Sequence, residues 1–241
     1  MMDFSKRSTG DEAMDDPQLD IGKLGEVFLD LNQTNLLLGG QRITLRGVQK
    51  VMAGAPRDHY AIVDLGCGDG DLLRRLARNC RDAGVSASFL GVDDSQAALE
   101  IALQKSRDYP EIHFQRSRLQ ELNPKEIPCD ILLCTLTLHH FDDGEIPRLL
   151  KKFGQMARLG VVINDLERNR LAYYLFMAFS RIFIKTKIAK QDGLISIRRG
   201  FRRRELRNLS RVVPGFEHSI RWRWVFRYLW VMQAKGFPAY E

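Results

Sequence analysis

One stretch constrains the fold of this chain more than any other. In Val63-Asp64-Leu65-Gly66-Cys67-Gly68-Asp69-Gly70-Asp71 an apolar run passes into three alternating glycines and then into a helical pattern. Glycine is required where backbone takes a left-handed conformation or passes within contact distance of a ligand. The following helix offers its unpaired N–H groups at the same loop. Around this unit short apolar runs alternate with helical spacing. Strands are predicted at Tyr60–Leu65, Ser88–Val92, Ile112–Gln115, Ile131–Thr135 and Gly160–Ile163, and helices at Asp71–Ala83, Ser95–Arg107 and Glu145–Met156. That order predicts an α/β fold, a mostly parallel sheet with helices on both faces. Such sheets bind ligands at the carboxyl ends of their strands.

The remainder of the chain is read around this centre. Its 241 residues, 44% hydrophobic and 28% charged, exclude wholesale disorder and collagen-like repetition. The net charge of +7 favours acidic partners without naming one. Cys67, Cys80, Cys129 and Cys134 form no CxxC pair, so neither a zinc knuckle nor a disulfide framework is expected. Residues 1–20 read as a flexible leader; Met1–Gln18 carries five acidic residues where a signal peptide needs an apolar core, so the cytoplasm is expected. Residues 21–56 read as an N-terminal helical cap. Its first helix, Ile21–Leu38, has Ile21, Leu24, Phe28, Leu31 and Leu38 at helical spacing before Gly39-Gly40, and a second fills Arg42–Met52. Residues 57–241 then hold the α/β domain.

Beyond Asn164 a helical insert of about residues 166–190 interrupts the sheet. Its apolar part, Leu171–Ile184, is shorter than the ~20 residues of a membrane span, which leaves peripheral membrane contact open. The preferred reading is a lid whose Tyr173, Tyr174, Phe176 and Phe179 roof a pocket. A basic helix follows at Arg202–Ser210. Arg198, Arg199, Arg202, Arg203, Arg204, Arg207 and Arg211 read as solvated charge, or as a surface for an acidic carrier protein, anionic lipid or RNA. Ser219–Met232 alternates with period two and predicts one strand, with Trp222, Trp224, Phe226, Tyr228 and Trp230 on one face.

The glycine loop lacks the third glycine of a dinucleotide fingerprint, because Asp71 stands there, and no Lys-Ser/Thr follows it. Asp64, Asp69 and Asp71 would repel a pyrophosphate and suit a ligand with positive charge. In Phe89-Leu90-Gly91-Val92-Asp93-Asp94-Ser95 the next strand ends on Asp93, placed to accept hydrogen bonds from two ribose hydroxyls. A ribose and a cationic group without phosphates describe S-adenosylmethionine. On Asp64–Gly70 and Gly91–Asp93, over residues 60–163 and the final strand, the chain resembles the class I S-adenosylmethionine-dependent methyltransferases. The resemblance implies a Rossmann-like sheet of seven strands with the last reversed. It places Gly66, Cys67, Gly68 and Gly70 against the cofactor, Asp64 at its methionine end and Asp93 on the ribose. Asp94, Arg118 and Thr135 complete that lining, and Ser117 stands where many members carry an adenine-binding Asp.

Cys134-Thr135-Leu136-Thr137-Leu138-His139-His140-Phe141 resembles the motif after the fourth strand in small-molecule methyltransferases of the ubiquinone-biosynthesis type. His139 or His140 is a candidate base for a phenolic or hydroxyl proton, or else a corner residue shaping the pocket. No metal is expected, since no carboxylate cluster at ligand spacing accompanies the pair. Val161–Tyr174, together with Leu38-Gly39-Gly40, resembles a bacterial subgroup linked to phenolic and polyketide-type secondary metabolites. It offers Asn164, Arg168, Tyr173 and Tyr174 as acceptor contacts, and Asp165 as a second base or a helix cap. The expected function is methyl transfer to a small, largely apolar or aromatic acceptor at a phenol or hydroxyl oxygen. The alternatives are RNA or protein methylation through the basic cluster, or a cofactor-binding accessory protein without catalysis.

Overall fold

The computed structural model describes residues 3–127 and 129–236. The apolar runs become seven strands of one sheet: β1 His59–Leu65, β2 Ser86–Asp93, β3 Ile112–Arg116, β4 Cys129–Thr135, β5 Ala157–Leu166, β6 Phe216–Arg223 and β7 Arg227–Ala234. Their order is β3-β2-β1-β4-β5-β7-β6. The first five pair in parallel, and β7 runs antiparallel to both β5 and β6. The order reverses between β1 and β4, so the loops leaving these two strands diverge and open a crevice at their carboxyl ends.

Eight helices accompany the described sheet: α1 Ile21–Leu37, α2 Gly40–Gly54, α3 Asp71–Asp82, α4 Gln96–Lys105, α5 Ile146–Met156, α6 Arg170–Phe183, α7 Lys187–Arg199 and α8 Arg203–Ser210. Both faces of the central strands are covered, which is why the first six residues of β4 are all buried and its sequence does not alternate. On one face Leu150 and Phe153 of α5 pack with Trp230 and Leu132. On the other Val48 and Val51 of α2 and Leu73 of α3 pack with Ile62, Leu133 and Leu229. Gly39, at φ +69°, turns α1 into α2, and Gly47 lets α2 lie directly on β5 and β7.

Several expectations are corrected. The single strand Ser219–Met232 is the hairpin β6–β7, with Arg223 opposite Arg227. Its turn, Trp224-Val225-Phe226, contains no glycine, proline or asparagine, and Phe226 itself takes φ +51°. Aromatic and β-branched residues therefore carried the alternation through a turn. Trp230 is fully buried whereas Trp222 and Trp224 are exposed, so they do not form one stripe.

Residues 3–20, expected to be a flexible leader, lie packed on the body. Phe4 is buried against Tyr173, and the Ser8 N–H donates to the Arg198 carbonyl at 3.1 Å. A polar composition concealed one apolar anchor and a set of charge pairs. The helical insert continues to Arg199 in two helices, past its expected end near residue 190. The basic cluster is divided: Arg203, Arg204 and Arg207 are exposed, but Arg199 is buried and donates to the carbonyls of His139 and Gly10 at 3.0 and 2.7 Å. Among the described residues no helix is long and apolar enough to cross a membrane.

The α2 contact yields a test. A Cβ at Gly47 would fall 2.5 Å from Val162 Cγ1 and 3.1 Å from Leu229 Cδ1. Gly47→Ala should therefore lower stability by about 1–2 kcal/mol, since overpacking of about 1–3 kcal/mol outweighs the gain of at most ~1 kcal/mol in helix propensity. Urea denaturation should show a lower midpoint with an unchanged slope; a higher midpoint would contradict the packing.

Candidate active site

The crevice is built first from backbone. Gly66, Gly68 and Gly70 sit at φ +73°, +52° and +73°, conformations that only glycine adopts at little cost. A Cβ at Gly66 would also fall 2.4 Å from the Thr137 side chain. Asp93, ending β2, is fixed by the loop itself: its carboxylate accepts from the N–H of Gly68 at 2.8 Å and of Ser95 at 3.0 Å. Burial raises its pKa, partly offset by these bonds. Asp64, next to the end of β1, is buried, and its Oδ1 has no hydrogen-bond partner. Burial, then the charge of Asp93, pushes its pKa up to about 7.

Asp64, Gly66, Cys67 and Gly68 border one cavity of about 1950 Å³, with Asp93 ending β2 and Asp94 after it, Ser117 and Arg118 after β3 and Thr135 ending β4. Gly70 instead caps α3 from outside that lining. The charge argument narrows. Asp69 is met by Lys105 at 2.7 Å and Asn32 at 2.9 Å, and Asp71 by Arg75 at 3.0 Å and by Gln41. Two of the three loop acids are thus neutralised within the protein, leaving Asp64 and Asp93 to select the ligand's charge.

At the far end of the cavity His139 lies in a single helical turn, Leu138–His140. Its Nδ1 is 2.7 Å from Asp165 Oδ1, and its backbone N–H donates to Asp165 Oδ2 at 3.1 Å. Its Nε2 is 3.4 Å from Glu12 Oε1, an ion-pair contact without hydrogen-bond alignment. His140 Nδ1 is 3.0 Å from Asp15, and Ser196 Oγ donates to Glu12 at 2.7 Å. Burial opposes charge on His139, but Asp165 and then Glu12 overcome it and raise its pKa to about 9. Burial likewise opposes charge on Glu12, and contact with His139 outweighs it, holding Glu12 at about 2.

A carboxylate therefore does accompany the histidines, contrary to expectation, and it comes from the N-terminal segment. Ligand atoms of Glu12, His139 and His140 lie within 4.8 Å of one another. That spacing would admit a small cation, although ion pairing alone accounts for the arrangement. Asp165 holds Nδ1–H of His139, which leaves Nε2 buried and turned to Glu12.

The expected acceptor contacts are placed differently. Strand β5 runs to Leu166, so Asn164 and Asp165 are still paired with Leu229 and Tyr228 of β7. Asn164 is fully buried and ties α2 to the sheet, donating to the Gly40 carbonyl at 2.9 Å and Thr44 Oγ1 at 3.0 Å. Arg168 is buried in a clasp of the Phe4 and Gly200 carbonyls and Glu205. Tyr173 faces Phe4, and Tyr174 is exposed. Helix α6 turns Ala172, Leu175, Phe176 and Phe179 to the cavity, the i, i+3, i+4, i+7 face of a helix. Half of the expected roof is thus on it.

The comparisons bear on this geometry. A family described as a methyltransferase domain matches residues 62–160. Over these residues the chain is similar to methyltransferase domains, and its fold is that of the class I S-adenosylmethionine-dependent methyltransferases. A trans-aconitate 2-methyltransferase of Variovorax paradoxus is 31% identical over 52% of this chain and 46% of its own length. A ribosomal RNA large subunit methyltransferase G of Shewanella amazonensis is 25% identical over 61% of this chain and 39% of its own length. The chain thus spans less than half the length of these curated relatives. The plantazolicin methyltransferase BpumL, solved in complex with SAH (S-adenosylhomocysteine), superposes with a TM-score of 0.69 at 13% identity, covering 88% of this chain and 91% of that one.

By their chemistry the orphaned Asp64 oxygen and the Asp93 carboxylate would suit an ammonium and a pair of ribose hydroxyls, groups that S-adenosylmethionine carries. Sequence reasoning missed Glu12 and Asp15, hidden in an acidic leader, and Arg223 and Arg227, read as the back of an aromatic strand. Only their tertiary neighbours give them meaning.

The Glu12–His139 pair sets a pH window. The raised His139 pKa contributes stability below its usual 6.5 that is lost as pH rises through about 9. The lowered Glu12 pKa contributes stability above its usual 4.5 that is lost as pH falls through about 2. The difference in Tm between the parent and Glu12→Gln should be largest between pH 4.5 and 6.5 and shrink towards pH 9; a difference independent of pH would refute the pair.

Proposed function

We propose that the chain transfers the methyl group of S-adenosylmethionine to a phenol or hydroxyl oxygen of a small, largely apolar acceptor. The observation that carries this reading is one cavity bordered both by Asp64 and Asp93 and by His139, whose Nδ1 is held by Asp165 behind it. When bound, the cofactor supplies an electrophilic methyl on a sulfonium, itself a good leaving group. The remaining tasks fall to this chain: align the acceptor, exclude water, and accept a proton at His139 Nε2. Asp165 stays ionised and stabilises the imidazolium that forms. Phe28, Phe176 and Phe179 give the cavity an apolar wall.

Its volume of about 1950 Å³ exceeds the roughly 300–1,000 Å³ of a typical single-ligand pocket and leaves room for cofactor and acceptor together. The relatives named for trans-aconitate support an acceptor of small-molecule size. The RNA methyltransferase relative favours a larger one, but the exposed arginines of α8 do not border the cavity, which weighs against that route.

While Glu12 faces it, His139 holds a proton and cannot accept another. Turnover should therefore rise with pH towards about 9 in the parent, and the limb should move to lower pH in Glu12→Gln. His139→Ala should keep its affinity for S-adenosylhomocysteine yet lose about 10²-fold or more in kcat. Asp93→Ala should weaken that affinity by roughly tenfold or more, since a hydrogen bond to a charged group is worth about 1.5–3 kcal/mol. Calorimetry and turnover over a panel of phenols and alcohols check all three. Binding without turnover on any acceptor would favour an accessory protein.

A further inference from the structure

The hairpin wall of the cavity holds charge that no carboxylate among the described residues contacts. Arg227, first residue of β7, is 4% exposed and borders the cavity. Its Nη2 donates to Asn35 Oδ1 at 2.8 Å, and its Nη1 is buried with no partner. Arg223, directly opposite in the β6–β7 register, also borders the cavity, and its Nε is likewise buried and unpartnered. Among the described residues neither arginine has a carboxylate within 4 Å. The charge of Asp165, already committed to His139, favours the Arg227 cation, but burial outweighs it and lowers the Arg227 pKa to about 10.

A buried guanidinium without a counter-charge is costly. The chain nonetheless makes room for this one. A Cβ at Gly40 would fall 2.7 Å from Arg227 Cζ, and the Gly40 carbonyl is held in place by Asn164. A planar donor group facing a ligand space in this way matches a carboxylate, which can accept two parallel N–H bonds.

We propose that Arg227, supported by Arg223, binds a carboxylate of the methyl acceptor, so that the substrate is an apolar molecule carrying one acidic group. This rests on the reading of the cavity's far end as the acceptor site. The cofactor's own carboxylate is the other source of the same chemistry. The strand order favours the acceptor: β7 lies three strand spacings, about 14 Å, from the Asp64 strand, whereas His139 and Asp165 belong to the β4 and β5 ends beside it.

The test is binding, independent of turnover. Protein loaded with S-adenosylhomocysteine is titrated by calorimetry with 3-hydroxybenzoate, 4-hydroxybenzoate and 4-hexylbenzoate, each beside its primary amide, which keeps the shape and removes the charge. At least one acid should bind about tenfold or more tightly than its amide. Arg227→Gln should abolish that preference with cofactor-product affinity unchanged, and Arg227→Lys should restore part of it. Arg223→Gln should reduce it and carries the test alone if the Arg227 variants fail to fold. The proposal is overturned if no acid is preferred, if the preference survives in the glutamine variants, or if Arg227→Gln weakens S-adenosylhomocysteine binding instead. A loaded protein that shows the acid preference but methylates nothing would fail the enzymatic reading and leave this one standing.

Discussion

The architecture depends on how the first glycine loop is tied to the second strand. The N–H groups of Gly66 and Cys67 both donate to the Val92 carbonyl, at 2.8 and 3.1 Å, and Gly68 donates to Asp93. Three successive main-chain donors thus close the base of the crevice, using backbone positions that no side chain could vary. With the loop pinned, Asp64 and Asp93 face one space, and α3 starts at the correct angle to cover the sheet. The cost is a pair of buried acids whose pKa values burial raises, with the charge of Asp93 raising that of Asp64 further, a typical mark of a ligand site.

A second tie organises the opposite end. Arg7 donates to the carbonyls of His139 and Arg199 at 2.7 Å each, and Arg199 returns a bond to the His139 carbonyl at 3.0 Å. The N-terminal segment, the end of α7 and the histidine turn are therefore one hydrogen-bonded unit. Glu12 adds charge to that unit, so the proton on His139 is part of the packing and, on the proposed reading, part of the chemistry as well. A single titration would then read out both.

The strands, the helices of the α/β core and the acids gathered at the strand ends were legible because each depends on local pattern: apolar runs, a glycine loop, an acid ending a strand. The acceptor side was less so. Asn164 and Arg168 sit in a promising motif, but the strand carrying Asn164 runs on to Leu166 and the N-terminal segment claims Arg168. Nothing within the motif announces either contact. Glu12 reads as one acid among many until a buried imidazole is placed against it. Trp224 and Phe226 continue an alternation that, in the folded chain, turns back on itself. In each case the deciding partner lies far away in sequence, and periodicity carries no information about it.

The extended fifth strand has one more consequence. Because Asp165 is paired with Tyr228 of β7, one residue beyond the last β4–β5 pair at Asn164, the imidazole it orients is anchored to the sheet itself. The walls that face it, by contrast, belong to a hairpin tip and a peripheral helix. Divergence in what such a scaffold accepts would then proceed by remodelling those two walls, with the proton-handling pair left stationary. On the proposed reading, reactivity and selectivity would be inherited as separable traits.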